Sequence, residues 1–415
     1  MIKGLMIDSA RHFWTIDDVL KIIAQAAISG INTLHWHLTD DQGWRIESKT
    51  FPKLHSTDYS AQCNGEFYSQ DSIREIINYA AQLHIEIIPE IEIPGHSHAL
   101  LTAYPELGCS DDARAIICPG KESTFTFLEE LFAEMCSIFP GKYFHIGGDE
   151  APKGGWRKCS HCRKKLAEIA DENSAYDKND YELLQGYMAN RVHALLKKQG
   201  KQTICWNDAL AAKNLDTDII IQYWTAQYAD LMKPFAEKGG RFIMSDMFHL
   251  YLDYPYSMTP LKKVFDYKPI IKGHDFSNYP GFLGIEACRW GGEPLPQMMD
   301  TLFPRLDALF STASDYNTFT DSLKKRYRDA ENEGLHFHPL DKCDPEGEER
   351  QKETFAFMIN MNAKMNQDAI QHMENSPAQN KDFVESFIKY FFEPSDMEWL
   401  EGFMKKIGYS NAVSK

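Results

Sequence analysis

The sequence lacks any apolar run long enough to cross a membrane. A spanning helix needs about 20 predominantly apolar residues, and the 415-residue chain has no run approaching that length. The N-terminal residues also lack the charged and then apolar pattern of a signal segment. We therefore expect a protein without a membrane partner, which is either cytoplasmic or exported with its signal removed.

The sequence is also poor in basic charge and in any cysteine framework. Its formal net charge is −16, which argues against a polyanionic partner such as nucleic acid. Its nine cysteines are odd in number and scattered, so they suit reduced thiols better than a set of disulfides. We find no internal repeat and no low-complexity tract, and nothing in the sequence indicates an oligomeric state.

Short β-rich runs alternate with amphipathic stretches along most of the chain. The predicted strands are 4–8, 32–38, 85–93, 143–149, 203–208, 218–224, 241–245 and 282–290. The predicted helices are 16–29, 72–83, 124–138, 181–199, 226–238 and 294–310, with a short one near 259–265. Such alternation predicts a parallel sheet with helical crossovers, and eight repeats predict a closed (β/α)8 TIM barrel in the α/β class.

The connections between these elements differ in length. The helix-to-strand links are brief, whereas the strand-to-helix links at 39–71, 94–123, 151–180 and 246–281 are long. In a barrel, the long links emerge at the C-terminal face, where active sites lie. The alternative is an open doubly wound sheet, which the absence of a glycine-rich phosphate loop after the first strand disfavours.

The alternation stops beyond about residue 335. Helical patterns at 351–367, 381–392 and 395–407 indicate a C-terminal appendage of helices. We therefore divide the chain into a catalytic barrel at 1–335 and a helical appendage at 336–415.

Polar and aromatic side chains gather where the predicted strands end. In chain order these residues are Asp8, Arg11, His37, Asp40, Asp41, Glu90, Glu92, His96, Asp149, Glu150, Trp206, Asp208, Trp224, Tyr251, Asp253, Trp290 and Glu293. A single carboxylate at a strand end usually caps the following helix, but eight such endings on one face are hard to explain by capping. Carboxylates, an arginine and several tryptophans in one cleft suit a sugar, whose hydroxyls need polar partners and whose ring faces stack on aromatic rings.

Four motifs at these strand ends resemble one known family. They read GLMIDSARHFW at 4–14, LHWHLTDDQGWR at 34–45, PEIEIPGH at 89–96 and HIGGDE at 145–150. In this order and spacing they resemble glycoside hydrolase family 20, the β-N-acetylhexosaminidases, and the resemblance extends from about residue 4 to about residue 311. It implies a TIM-barrel glycosidase.

The sequence departs from the family pattern in three places. The family usually has a small α/β domain before its barrel, whereas this sequence begins directly on the first predicted strand. The third motif has Glu92 where the family usually has aspartate. Two glycines separate Trp290 from Glu293, whereas the family usually has one residue between tryptophan and glutamate.

The resemblance implies an exo-acting, retaining hydrolysis of terminal β-linked GlcNAc or GalNAc by substrate-assisted catalysis. The 2-acetamido oxygen of the substrate would attack the anomeric carbon and form an oxazolinium intermediate. Glu150 would be the general acid and then the base, for which we expect a raised pKa. Asp149 would accept the acetamido N–H, and Tyr251 would donate its hydroxyl to the attacking oxygen. In the alternative interpretation, Asp149 and Glu150 only begin a helix as its cap and first-turn acid.

The same resemblance implies a pocket around the terminal sugar. Its predicted substrate-binding residues are Arg11, His96, Trp206, Trp224, Asp253, Trp290 and Glu293. Asp40, Glu92 and His37 would support the acid from behind, and any single tryptophan or buried histidine in this set could instead be structural. The proposed reaction needs no cofactor and no metal.

Other functions remain open at this point. An enzyme of the same family could release a disaccharide, and an inherited barrel could bind glycans without catalysis. A metal-dependent hydrolase is a third class, which insensitivity to chelators would exclude. Cys159 and Cys162 resemble half of a zinc site, and although no second CxxC pair occurs, Cys109 or Cys118 could approach from a neighbouring loop.

Overall fold

The computed structural model of the chain describes residues 1–56, 65–109, 112–354 and 356–358, with the side chains of 112–115 outside this description. Its contacts define two compact units, Met1–Tyr254 with Thr259–Asp344 and Pro255–Met258 with Pro345–Lys415. In the second unit, residues 347–354 and 356–358 are helical, and Arg350 Nε donates to the Ser257 carbonyl at 3.0 Å.

Eight parallel strands close into a barrel in the first unit. They are β1 Ile2–Asp8, β2 Thr33–His37, β3 Glu86–Glu90, β4 Tyr143–His145, β5 Gln202–Trp206, β6 Ile220–Tyr223, β7 Phe242–Met244 and β8 Phe282–Arg289. Each strand pairs with the next along the chain, and β8 pairs with β1. The predicted (β/α)8 barrel is therefore confirmed, and the open doubly wound sheet is excluded.

Helices surround the barrel and occupy its long loops. They are α1 Ile16–Ile28, α2 Gln70–Gln82, α3 His98–Ala103, α4 Glu122–Ile138, α5 Gly154–Lys158, α6 Ser160–Glu172, α7 Glu182–Lys198, α8 Ala229–Glu237, α9 Met247–Leu250, α10 Leu261–Phe265, α11 Leu295–Leu302, α12 Arg305–Leu309 and α13 Tyr316–Asn332. The described residues also contain five short 3₁₀ turns and three two-stranded pairs. None of the helices that the structure describes is long and apolar enough to span a membrane.

The predicted helices lie where the sequence places them, with one change. The stretch predicted as one helix at 294–310 forms α11 and α12, because Pro304 between them has no N–H to continue the helix. Five helices inside or after long links were not predicted: α3, α5, α6, α9 and α13. The predicted helices at 381–392 and 395–407, and most of that at 351–367, lie outside the described residues, so the division of the chain at residue 335 stays a prediction.

The barrel interior changes character along its axis. At its N-terminal end lies an aliphatic layer of Ile2, Ile88, Ile204, Ile220 and Ile243. Above it lies a buried polar layer, here called the middle layer, formed by His35, Glu90, His145, Gln222 and Glu286. A Cβ atom at Gly4 would lie 2.7 Å from Cγ of Glu286, so the glycine in β1 leaves room for this side chain. Branched aliphatic residues usually fill such layers, and this barrel replaces one of them with charges.

Candidate active site

The turn after β4 presents two consecutive carboxyl groups at the C-terminal face. Gly147 and Gly148 have φ angles of 65° and 97°, and Glu150 has a φ of 47°, so three residues of this turn lie in the left-handed region. A Cβ atom at Gly147 would lie 1.8 Å from a carboxylate oxygen of Glu92, which explains why this position is glycine. The turn therefore depends on both backbone freedom and the absence of a side chain.

Asp149 and Glu150 face the same imidazole ring. His96 Nε2 lies 3.5 Å from Asp149 Oδ2 and 3.6 Å from Glu150 Oε2. We call these three residues the rim group. On the other side of the ring, His96 Nδ1 lies 3.3 Å from Asp40 Oδ1. Burial alone would lower the pKa of His96, but the carboxylates of Asp40 and Asp149 hold that pKa well above its usual value. These carboxylates therefore favour the protonated form of the ring, which lies between the two carboxyl groups of the rim group and Asp40.

The two carboxyl groups differ in environment. The side chain of Asp149 is 14% exposed, and burial raises its pKa to about 7. The side chain of Glu150 is 61% exposed, and the neighbouring His96 lowers its pKa. The expectation of a raised pKa for Glu150 is wrong for the protein without substrate, because the neighbouring His96 favours the ionised carboxylate and outweighs the effect of burial.

Arg11 is fixed beside this group by two buried aspartates. Its guanidinium lies 3.0 Å from Asp8 Oδ2 and 2.6 Å from Asp40 Oδ2. The same group lies over the ring of Trp290, 5.1 Å from its centroid. These three contacts hold the guanidinium at the face predicted to bind sugar hydroxyls, and 24% of its side chain is exposed.

His37 and Glu92 form the layer beneath the rim group. His37 Nε2 lies 3.3 Å from Glu92 Oε1, and its Nδ1 lies 3.1 Å from Asp8 Oδ1. Burial, together with the charges of Asp149 and Glu90, raises the pKa of Glu92 well above its usual value. Within the part of the chain that the structure describes, Glu92 Oε2 and Asp149 Oδ1 are buried polar atoms without a hydrogen-bond partner.

Three aromatic rings lie side by side across the site. The rings of Trp224 and Tyr251 are parallel, with an interplanar angle of 10° and centroids 6.3 Å apart. Tyr251 and Trp290 have centroids 6.1 Å apart. Trp206 also approaches Trp290, at 5.9 Å, but it is only 1% exposed. Its indole N–H donates to Glu90 at 2.8 Å, so its ring is held in the barrel interior next to the middle layer.

The two predicted carboxylates of the last loops lie in different places. Asp253 accepts from the Trp290 backbone N–H at 3.4 Å, and burial raises its pKa to about 6. Glu293 forms an ion pair with Arg289, and its side chain is 52% exposed. The described contacts join Glu293 to no other predicted site residue. The sequence departs from the family pattern at the two glycines before Glu293, and in the structure this glutamate lies apart from the other site residues.

One residue, Asp208, was named at a strand end in the sequence but was given no role in the site. It accepts from the Glu150 backbone N–H at 3.1 Å and from the Trp224 indole N–H at 2.8 Å, so it joins the acidic turn to the aromatic wall. Burial raises its pKa to about 6. Asp8 has a comparable role, because it contacts both Arg11 and His37. Asp8 is the last residue of β1 and Asp208 follows the last residue of β5 by two positions, and this placement at strand ends was the signal that could have indicated their role.

Several clusters could supply metal ligands by residue type. One comprises His35, Glu90 and His145 in the middle layer, and another comprises the rim group. His35 is already placed between Glu90 and Glu286, at 3.0 Å and 2.7 Å. At the rim, the side chains of His96 and Arg11 supply positive charge from the protein itself.

A comparison with protein families agrees with this geometry. Residues 2–313 match the model described as glycosyl hydrolase family 20, catalytic domain. The chain belongs to glycosyl hydrolase family 20. The match contains the whole barrel and every predicted site residue.

Individual family 20 proteins resemble the chain at moderate identity. A β-hexosaminidase of Porphyromonas gingivalis is 34% identical over 325 residues, which cover 69% of this chain and 39% of that protein. A β-N-acetylhexosaminidase structure from Bacteroides fragilis is 30% identical, with a TM-score of 0.71, over 81% of this chain and 72% of that one. A structure of a Vibrio harveyi exo β-N-acetylglucosaminidase in complex with N-acetylglucosamine is 27% identical, with a TM-score of 0.71, over 81% and 59%. The chain thus spans well under half of its P. gingivalis relative.

Proposed function

We propose that the protein is an exo-acting, retaining β-N-acetylhexosaminidase that releases terminal β-linked GlcNAc or GalNAc. The observation that carries this proposal is the pair Asp149 and Glu150 on one cationic histidine, with pKa values displaced in opposite directions. Two carboxyl groups whose environments separate their pKa values are typical of divided acid and base roles. A protein that only bound glycans would not need this division.

Asp149 positions the substrate's own nucleophile. Its carboxylate accepts the acetamido N–H and stabilises the positive charge that develops as the acetamido oxygen attacks the anomeric carbon. Tyr251 donates its hydroxyl to that oxygen, and its ring is held parallel to Trp224. A pKa of about 7 means that Asp149 is readily ionised near neutral pH, and the charge on the acetamido group favours the ionised form further.

Glu150 transfers the proton to the leaving oxygen. Its side chain is 61% exposed in the free protein, and a bound glycan covers it at the point of cleavage. Loss of water favours the neutral form of a carboxyl group and raises its pKa. Substrate binding thus converts Glu150 into an acid at the moment when a proton is needed, and the resulting carboxylate then activates the water that opens the oxazolinium ring.

The remaining residues hold the terminal sugar. Trp224 and Trp290 enclose the acetamido group and the ring, while Arg11 and Asp253 bind hydroxyl groups. Trp206 supports the pocket from the barrel interior, where it is bonded to Glu90. Asp40, His37 and Glu92 fix the charge and position of the rim group. Glu293 reaches the sugar only if it leaves Arg289.

The test compares p-nitrophenyl β-glycosides of GlcNAc, GalNAc and glucose with wild type, Glu150→Gln and Asp149→Asn. We expect release from the two N-acetyl sugars alone and a loss above about 100-fold in both variants. The ratio of the two rates gives the preference for GlcNAc or GalNAc. Equal activity on the glucoside, or full activity in both variants, would overturn the proposal. No release from any of the three glycosides would leave an enzyme that releases a disaccharide or a protein that only binds glycans.

A further inference from the structure

Four cysteine thiols meet in the loops that follow β3 and β4. Cys109 and Cys118 flank the strand Asp112–Ile117 after β3, while Cys159 and Cys162 lie at the start of α6. The sulfur atoms of Cys109 and Cys162 are 3.7 Å apart, those of Cys118 and Cys159 are 3.8 Å apart, and those of Cys118 and Cys162 are 3.4 Å apart. All four sulfur atoms lie within 4.8 Å of one another.

These distances distinguish between the chemistries of clustered cysteines. Sulfur atoms of a disulfide are about 2.05 Å apart, and all four residues here are free thiols. Four zinc–sulfur bonds of about 2.3 Å at tetrahedral angles place the sulfur atoms about 3.8 Å apart. We propose that Cys109, Cys118, Cys159 and Cys162 bind one structural zinc ion.

The surrounding residues build a closed site. Each of the four cysteines is at most 1% exposed, and Ile116, Trp156 and Leu166 pack in the same apolar cluster. A Cβ atom at Gly120 would lie 2.4 Å from the backbone carbon of His161, so this glycine lets the β3 loop touch the start of α6. The Trp156 indole N–H donates to the Ile117 carbonyl at 2.9 Å and joins the two loops again.

The position on α6 suits the charge of such a centre. Four thiolates around Zn²⁺ carry two net negative charges, which favour the positive end of a helix dipole. Cys159 is the N-cap residue of the 13-residue α6, and Cys162 lies in its first turn. Because thiolates fill all four positions, the ion has no open position for substrate or water, so its role is structural.

The proposed zinc ion would brace the loops that carry the rim group. The Ile117 backbone N–H donates to the Pro94 carbonyl at 3.0 Å, two residues before His96. Ala151, which follows Glu150, belongs to the same cluster as the four cysteines. Zinc would therefore connect the loop of His96 to the loop of Asp149 and Glu150, and this inference holds whichever substrate the site accepts.

Metal analysis of the full-length protein tests the inference. We expect about one zinc per chain in wild type and below about 0.1 in the double variant C159S/C162S. Cys136→Ser is the matched control, because Cys136 is only partly buried and lies on α4 outside the cluster. Iron in place of zinc, a disulfide found by intact mass, or wild type without metal would overturn the proposal.

A measurement on wild type covers the case in which the variant does not fold. X-ray absorption at the zinc edge should give four sulfur neighbours at about 2.3 Å. Stepwise titration of the folded protein with a mercurial reagent should release the zinc as the thiols react. Nitrogen or oxygen neighbours, or zinc that stays bound after thiol modification, would place the ion elsewhere.

Discussion

The middle layer of the barrel and the rim group contain the same residue types, histidine and carboxylate, in different environments. In the middle layer, Glu90 contacts His35 at 3.0 Å and His145 at 2.8 Å, and these side chains are fully buried. In the rim group, His96 lies 3.5 Å and 3.6 Å from its two carboxyl groups, and Glu150 is 61% exposed. The contacts are shorter and fully buried in the middle layer, whereas those of the rim group are longer and one of its side chains is largely exposed.

The pKa values follow the same division. The carboxylates of Glu286 and Glu90 overcome burial and raise the pKa of His35 to about 9, which favours the protonated form of this ring at neutral pH. Burial raises the pKa of Asp149 to about 7, so this carboxyl group titrates near neutral pH. We therefore expect the middle layer to contribute mainly to stability and the rim group to carry the proposed proton transfer.

The largest expected effect is on activity at the rim. Glu150→Gln keeps the size of the side chain but removes the acid, so kcat/KM for an N-acetyl glycoside should fall by about 10²- to 10⁴-fold. The melting temperature should stay unchanged, because the group is exposed. Glu129→Gln, an exposed position on α4, is the control for activity. A large fall in melting temperature would show that Glu150 contributes to stability, as the middle layer does, and would contradict the distinction between the two groups.

The next effect is on stability in the middle layer. Glu90→Gln leaves two buried histidines and the Trp206 N–H without a carboxylate, and the free energy of unfolding should fall by about 3–5 kcal/mol. Glu86→Gln at the other end of β3 should cost about 1 kcal/mol or less. Chemical denaturation measures both. Equal losses in the two variants would show that the middle layer contributes nothing specific.

Removal of one hydroxyl group tests the aromatic side of the site. Tyr251→Phe keeps the ring beside Trp224 but loses the donor to the acetamido oxygen, so kcat should fall by about 10²-fold with a smaller change in KM. Tyr254→Phe is the matched control, since its ring centroid lies 6.1 Å from that of Tyr251. Steady-state kinetics with one N-acetyl glycoside distinguishes the two, and an equal loss in both would indicate a packing effect.

The smallest effect is a shift of the pH profile. Asp149 must be ionised to accept the acetamido N–H, so kcat/KM should fall as the pH drops through about 7. The Asp208 carboxylate helps to raise the pKa of Asp149, so Asp208→Asn should move this acid limb to lower pH. Asp216→Asn, an exposed loop position, should leave the limb in place. If Asp208→Asn moved the acid limb of the pH profile to higher pH, the assignment of this limb to Asp149 would be contradicted.

The same shift has a consequence for stability. The pKa of Asp149 rises from 3.8 to about 7 on folding, so the folded protein binds this proton more tightly than the unfolded chain does. The stability that this proton contributes is fully present below about pH 4 and is lost as the pH rises through about 7. Asp149→Asn should therefore flatten the dependence of the unfolding free energy on pH in this window.

Local sequence patterns predict most of this architecture. The alternation of strands and helices predicts all eight barrel strands, and strand-end motifs place Asp149, Glu150, His96 and Arg11 on one face. Helix α6 could also have been predicted, because its buried Cys162, Leu166 and Ile169 follow a helical spacing. It was missed because its lysines, arginine and acids give the stretch a polar composition.

Local sequence patterns do not contain the contacts between residues that are far apart along the chain. Glu286 pairs with His35 across 251 residues, and the meeting of Cys118 with Cys162 depends on two loops folding together. The pKa of Glu150 depends on its exposure and on His96, so composition alone gives its direction wrongly. These contacts and pKa shifts follow from packing, so they can be predicted only when the positions of the strand ends in the barrel are known.

The most direct test of the central claim measures how the rate depends on the electron density of the acetamido oxygen. Rates are measured for p-nitrophenyl glycosides whose N-acetyl group carries none, one, two or three fluorine atoms, with wild type and Asp149→Asn. Fluorine withdraws electrons from the attacking oxygen, so we predict that kcat falls steeply with each fluorine in wild type and less steeply in the variant. A wild-type rate that is independent of fluorination would contradict attack by the substrate's own acetamido oxygen.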